Sequence, residues 1–463
     1  MRLSEETLSK LPPSVQRPRH ARTEQAVGIV HFGIGAFHRA HQAVYTDVAM
    51  DAGDRHWAIV GVSLRSPAVA AQLNPQQGLF SLATRQGSTT NYRVIGSVRQ
   101  VLVAPTEATS VLEAIAAPSV QVLTFTITEK GYCAAADGSL DHLLANDGSV
   151  YRFLAEGLAL RRQRGHGGAT LLCCDNLANN GQRLQRLLRD FLERGDPDLA
   201  DWVDRHCAFP SSMVDRIVPA TTAADDQAAK AALGMDDHAH VATEPYTQWV
   251  IEEDFRGRRP SWEIQGAEFV TDVRPYEMAK LRMLNGAHSA LAYIGLMRGY
   301  RFVHEAIADA DIRRVVERLM REEAAPSVAT ARGQDLQRYA AALLDRFGNA
   351  ALNHRLEQIA MDGSQKVPQR WLETLAFHGA AGRACESILI AMAAWLLHVR
   401  GDLRRVEDPM ADALAEAWQQ AGEGQIVSAL FGARGVVSPV WTPSATDIGS
   451  IRQAMKHLLE VRS

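Results

Sequence analysis

An α/β fold followed by a predominantly α-helical C-terminal half is predicted by three observations. Short apolar runs alternate with helical periodicity as far as residue 272, one run ends in a glycine turn that opens a helix, and from residue 273 the apolar spacing is mainly 3.6-residue. A chain of 463 residues that is 46% hydrophobic can bury a large core and exceeds one ordinary domain.

The first strand lies in Ala26 to Gly35 (AVGIVHFGIG), and AFHRAHQAVYTDVAM continues it as a helix by its apolar spacing. After the turn-like Asp51-Ala52-Gly53-Asp54, WAIVGVSL (57–64) is a second strand, with QVLTFTIT (121–128) and ATLLCC (169–174) as further ones. Strands separated by helices predict a parallel sheet. The boundary falls near Thr271 to Arg274, where an apparent strand (AEFVTDV) meets a proline and the first long helix, giving domains 1–272 and 273–463. No internal repeat of fixed period is visible.

Composition narrows the function. Lys plus Arg is 49 against 53 for Asp plus Glu, a net charge of −4 that offers no surplus for holding nucleic acid. The longest strongly apolar run, Ile388 to Leu397, is far short of the roughly 20 residues a membrane span requires, and a charged N-terminus from Arg2 onward fits a cytoplasmic protein. Five cysteines without a CxxC argue against disulfides, and no paired Cys/His spacing argues for structural zinc.

His31-Phe32-Gly33-Ile34-Gly35-Ala36-Phe37-His38 places GxG between strand and helix, the context in which backbone approaches a pyrophosphate. The N-terminal half is therefore read as Rossmann-like, although His38 replaces the third glycine and a plain tight turn would also select two glycines. His38 and His41, three apart, suit either a metal or packing near the turn; two ligands are not a site. The end of the second strand, Ser63-Leu64-Arg65-Ser66-Pro67, lacks the acid that holds a ribose 2′-hydroxyl. Arg65 and Ser66 could instead accept a 2′-phosphate, which leaves NADP open, the other reading being that Arg65 is a solvated loop cation.

The most informative stretch is Tyr276 to His288 (YEMAKLRMLNGAH). On an ideal α-helix with Lys280 at zero, Glu277, His288 and Asn285 project at about 60°, 80° and 140°, so four polar groups share one broad face. Asn-Gly within a helix costs stability without local compensation.

With these residues the chain resembles the long-chain, metal-independent polyol dehydrogenases, a family that includes mannitol 2-dehydrogenase and fructuronate reductase (mannonate oxidoreductase). The resemblance covers nearly the whole chain and rests on GIGAFHRAHQAVYTD (33–47), TITEKGYC (126–133), CDNLANNG (174–181), FPSSMVDRIVP (209–219), EPYTQWVIEEDF (244–255), KLRMLNGAHS (280–289) and DGSQKVPQR (362–370). It implies that Lys280 is the general acid–base, a role that burial of a lysine makes feasible near neutral pH. It implies further that Asn176 and Asn285 donate side-chain amides to the developing alkoxide, so that zinc is unnecessary. His288 would hold a substrate hydroxyl, and Glu277 would relay or tune the proton of Lys280; a satisfied interior histidine and a simple i,i+3 partner are the plain readings of these two. The implied cofactor is NAD, with Phe32, Gly33, Gly35, Ala36, Phe37, Arg65, Thr128 and Lys130 as its contacts.

Within this family mannitol and mannonate differ at one end, hydroxymethyl against carboxylate, so a sugar-acid enzyme should present a cation. Arg282 and Arg370 resemble the fructuronate reductase pattern, as does Gln358 where mannitol-type enzymes tend to carry arginine; Lys366 does not discriminate. GYRFVHEAIAD (299–309) and SEETLSKL near the N-terminus look closer to mannitol-type enzymes. The expectation is a fructuronate reductase, with mannitol 2-dehydrogenase as the alternative, acting as a monomer or homodimer on a small-molecule substrate. A nucleotide-binding or sugar-sensing protein without catalysis is the reading from another class.

Overall fold

The computed structural model describes residues 1–135, 137–146 and 148–462. The chain forms two compact units, Met1–Arg274 and Pro275–Ser463. In chain order the strands of the first unit are β1 (Val27–Phe32), β2 (Ala58–Ser63), β3 (Phe80–Gln86), β4 (Thr89–Ile95), β5 (Val98–Val103), β6 (Val122–Phe125), β7 (Thr170–Cys173), β8 (Ser212–Asp215), β9 (Val241–Thr243), β10 (Gln248–Glu252) and β11 (Glu268–Val270).

The central sheet has the order β5-β2-β1-β6-β7 and is parallel throughout. Its inner strands are buried along almost their whole length, which is why they read as unbroken apolar runs rather than alternating ones. The strand order reverses between β1 and β6. The carboxyl ends of these two strands therefore flank the crevice in which open α/β sheets bind ligands.

Two smaller sheets, β4-β3-β9 and β11-β10-β8, complete the unit. The β3–β4 hairpin is not among the strands expected from apolar runs, although the Gly87-Ser88 pair between two β-rich runs is a hairpin signal. Three predicted bounds also shift. QVLTFTIT is a strand only as far as Phe125, AEFVTDV only over Glu268–Val270, and the predicted helix after the glycine turn breaks at His41 into Ala36–Ala40 and Gln42–Asp51. His41 has φ −122 and ψ −91, outside the helical region, and its Nε2 donates to the Gln248 carbonyl at 2.9 Å.

The second unit is helical. Its central helix, Gly286–Met297, is buried on nearly every side, packed by Glu386–Val399 among others. Tyr293, Trp371 and Trp395, all fully buried, anchor its core. Among the described residues no helix is long and apolar enough to cross a membrane.

Candidate active site

The two glycines of the turn after β1 are there for different reasons. Gly33 has φ +92, and a Cβ on it would stand 2.1 Å from the Thr126 carbonyl oxygen, so the protein's own packing demands glycine. Its N–H donates to the Val62 carbonyl at 3.0 Å. Gly35 has φ −84, and a Cβ there would meet nothing closer than the Gly33 oxygen at 3.8 Å. Among the described residues no contact explains Gly35; the open cradle at the carboxyl end of the central strand fits close approach of a dinucleotide phosphate.

Of the other expected cofactor contacts, Ala36 and Phe37 flank this cradle, half-buried, with the Phe37 ring 5.1 Å from that of His41. Thr128 and Lys130 are exposed on the loop after β6. Arg65 is exposed after β2, where its charge reaches Cys133. Ser66 is occupied locally, its Oγ accepting from the Ala68 N–H, which leaves Arg65 as the cation at that strand end. Phe32 is a correction: its side chain is fully buried and stacks on Phe125 at 5.5 Å, and its carbonyl accepts from Thr126, so its place is in the core.

His38, in the place of the third glycine, stacks on His31 of β1 with ring centroids 3.5 Å apart. That stack is how the bulk is accommodated. Burial drives the His31 imidazole down to about 3 and holds His38 well below the ordinary histidine value, so both are neutral packing groups. His41 faces Gln248, Tyr45 and Trp249 instead of joining His38 as a ligand pair.

The sequence reading passed over Asp175, next to Asn176. Its carboxylate accepts from the Ile127 N–H at 2.9 Å, the Thr128 N–H at 3.0 Å and the Tyr132 hydroxyl at 2.7 Å. Because the Tyr132 proton points to Asp175, the buried Cys173 thiol, pushed up to about 12 chiefly by burial, donates to the Tyr132 oxygen at 2.7 Å. Asn180 braces the same loop, its Nδ2 donating to the carbonyls of Asp175 at 2.9 Å and Ser212 at 2.7 Å. Asn176 itself is exposed at the tip of this brace, in the first unit. The acid immediately before the candidate asparagine in CDNLANNG is the available signal.

In the second unit Lys280 opens a π-helical turn, Lys280–Asn285, set between the α-helices Arg274–Ala279 and Gly286–Met297. The Gly286 N–H reaches back five residues to the Leu281 carbonyl. The α-helical projection of Asn285 and His288 relative to Lys280 is therefore corrected, because each i→i+5 step winds less than an α step. Lys280 is buried, while Glu277, Asn285 and His288 keep part of their surface accessible. The Asn285-Gly286 pair sits where the helix changes winding, which accounts for its mid-helix position.

Two further π turns, Leu319–Ala324 and Pro368–Leu372, pack against the lysine turn. From the latter, Arg370 donates to the Asn285 carbonyl at 3.2 Å and to Ser289 Oγ at 2.7 Å, and Trp371 Nε1 donates to the Gly286 carbonyl at 3.1 Å. These side chains donate to carbonyls where the π turn passes into the α-helix.

His288 lies 5.3 Å from His354 and 4.8 Å from Phe347, ring centroid to centroid. Its pKa is held well below the ordinary value, by burial first and then by the positive surroundings of His354, Arg346 and Arg370. Burial lowers Arg370 to about 10, still cationic at neutral pH. Arg282, by contrast, is paired with Glu373 at 2.6 Å and donates to the Ser327 carbonyl. Lys366 donates to the carbonyls of Ile359 and Met361 and sits 3.7 Å from Asp362. Burial lowers the Lys366 ammonium, with Arg370 contributing. Gln358 is exposed and lines a separate cleft with Arg355, His398, Arg404 and Arg405, into which none of Lys280, Asn285 and His288 projects.

Comparison with known proteins follows this division. Residues 27–264 match the mannitol dehydrogenase Rossmann domain, and residues 272–454 the mannitol dehydrogenase C-terminal domain. The chain is 38% identical to D-mannonate oxidoreductase of Escherichia coli K12 over 98% of its length and 97% of that protein. It is 35% identical to mannitol 2-dehydrogenase of Pyrenophora tritici-repentis, over 93% of this chain and 80% of that one. Among solved structures it resembles Pseudomonas fluorescens mannitol 2-dehydrogenase in a ternary complex with NAD and D-mannitol (TM-score 0.80, 34% identity, 99% and 96% coverage). A substrate-free D-sorbitol dehydrogenase is also similar (TM-score 0.91, 29% identity, 100% and 99% coverage).

Proposed function

Because the chain belongs to the mannitol dehydrogenase family, we propose that it is a fructuronate reductase, interconverting a keto-sugar acid and its secondary alcohol without a metal. It is an oxidoreductase acting on CH–OH groups of a polyol or sugar acid, with NAD as cofactor. A bound nicotinamide would supply the hydride for the ketone carbon and would accept it from the alcohol in the reverse direction. Gly33, Gly35, Ala36, Phe37, Thr128 and Lys130 would hold the dinucleotide, and Arg65, with no acid beside it in the Ser63–Pro67 segment, would tolerate a 2′-phosphate.

Lys280 donates its Nζ proton to the alkoxide oxygen as the ketone is reduced and recovers a proton through Glu277; in oxidation it removes the hydroxyl proton. Asn176 and Asn285 donate amide hydrogens to that oxygen, stabilising charge that exists only as the reaction proceeds. His288, neutral because it is buried among cations, holds a substrate hydroxyl as donor or acceptor.

The observation that carries the sugar-acid reading is Arg370. Its guanidinium is largely buried and cationic, it stands on Asn285, and among the described residues no carboxylate pairs with it. A buried charge lacking a counter-charge is costly, and a substrate carboxylate would supply one. Arg282 does not share the task, since Glu373 already occupies it. The extensive similarity to mannitol 2-dehydrogenases keeps fructose and mannitol as the second reading.

Initial rates with NADH and NADPH against fructuronate and fructose, side by side, test the assignment. Higher kcat/KM with fructuronate is expected. Higher efficiency with fructose would make the protein a mannitol 2-dehydrogenase and return Arg370 to a purely structural role.

A further inference from the structure

Thr128 has φ 66 and ψ 163, a region almost reserved for glycine. Such a conformation persists only where surrounding contacts over-determine it. The Asp175 carboxylate supplies those contacts: it accepts from the N–H groups of Ile127 and Thr128 and from Tyr132, which is fully buried and so cannot drift. The backbone of Asp175 is fixed in turn, its carbonyl accepting from the Leu177 N–H at 2.9 Å and from Asn180, which is locked to Ser212. The same loop is interlocked with the glycine turn, Thr126 Oγ1 donating to the Gly33 carbonyl at 2.7 Å.

We propose that Asp175 is a positioning residue that ties the Thr126–Lys130 loop to the loop bearing Asn176, so that the substrate-facing amide and the cofactor-facing backbone take their working places together. The inference rests on the function proposed above, in which Thr128 and Lys130 face the cofactor and Asn176 the reacting oxygen. No contact with cofactor or substrate is assigned to Asp175. It acts through its neighbours, and its place in the chain, one residue before Asn176, makes any shift of the brace a shift of that amide.

The test uses the full-length enzyme. Asp175→Asn replaces an acceptor-only group by one that turns an N–H toward backbone donors. The expected result is a fall in kcat of about 10- to 100-fold, the scale of a misplacement near 1 Å, with a smaller change in substrate KM. Glycine adopts the Thr128 conformation without strain, so adding Thr128→Gly should recover part of the kcat lost in the Asp175→Asn background, a recovery that Thr128→Gly does not produce in the wild-type background. Equal factors in the two backgrounds, or an unchanged kcat in Asp175→Asn, would overturn the proposal. If Asp175→Asn does not fold, Tyr132→Phe removes a single hydrogen bond of the brace. A severalfold loss in kcat with KM held is then expected, and wild-type kcat overturns the proposal. Lys280→Ala measured in parallel separates the two claims, because full turnover there would fail the functional reading itself.

Discussion

Around the glycine turn of the first unit the geometry is set mainly by backbone and by neutral packing groups: a positive-φ glycine, a stacked and unprotonated His31–His38 pair, and a loop whose N–H groups are held on one carboxylate. Around Lys280 in the second unit the geometry is set by charged and aromatic side chains reaching onto an unwound helix, and the surroundings of His288 are cationic. The contrast teaches that the glycine turn is specified by what the chain cannot sterically do, and the π turn by side chains that reach it from distant parts of the chain.

The sharpest test of that contrast is Lys280→Ala, for which kcat should fall by about 10²- to 10⁴-fold while NADH affinity, measured by fluorescence titration, is retained. Wild-type-like turnover would remove the acid–base role from the second unit. Next come the two glycines. Gly33→Ala, forced against the Thr126 carbonyl in a left-handed conformation, should cost at least about 2 kcal/mol in urea unfolding. Gly35→Ala should leave unfolding within about 0.5 kcal/mol of wild type but weaken NADH binding, since only a ligand needs that space. Equal effects of the two substitutions on stability would break the distinction.

Arg370→Leu should cut kcat/KM for fructuronate by about 10- to 100-fold relative to fructose, the scale of a charge-assisted hydrogen bond in a buried site. An unaltered ratio would mean that the unpaired cation does not meet substrate.

Acid should weaken the first unit through His31. Burial holds its pKa at about 3 in the folded protein against 6.5 for an exposed imidazole, so the unfolded chain binds the extra proton, and stability is lost as pH falls from about 6.5 toward 3. At pH 5 the loss is about 2 kcal/mol, and His31→Gln should flatten the dependence of the urea midpoint on pH. The smallest effect is expected for Trp371→Phe, which removes the indole N–H donated to the Gly286 carbonyl and should cost about 1 kcal/mol.

Periodicity was enough to read the parallel sheet and the change to helices, because doubly covered strands and amphipathic helices impose different apolar spacings. The β3–β4 hairpin was missed where no long apolar run advertised it. Lys280, Asn285 and His288 were legible as residues of one helix, but their mutual angles were not, because the π turn depends on packing partners that lie about 40 and 90 residues further along the chain. Phe32 was misread because a turn motif does not say which of its side chains faces the core. Asp175 was overlooked because its partners, Ile127, Thr128 and Tyr132, come together only when β6 and β7 pair.

What the sequence by itself determined is the set of local rules: strand, glycine turn, helix, the family's blocks, and the side chains able to move a proton. These follow from the chemistry and spacing of neighbouring residues. Only the tertiary structure decided that Gly33 serves the protein and Gly35 leaves a cradle, that Glu373 occupies Arg282 while no carboxylate among the described residues pairs with Arg370, and that Thr128 is held in a strained turn. Those outcomes depend on burial and on partners distant in the chain, which no local pattern encodes.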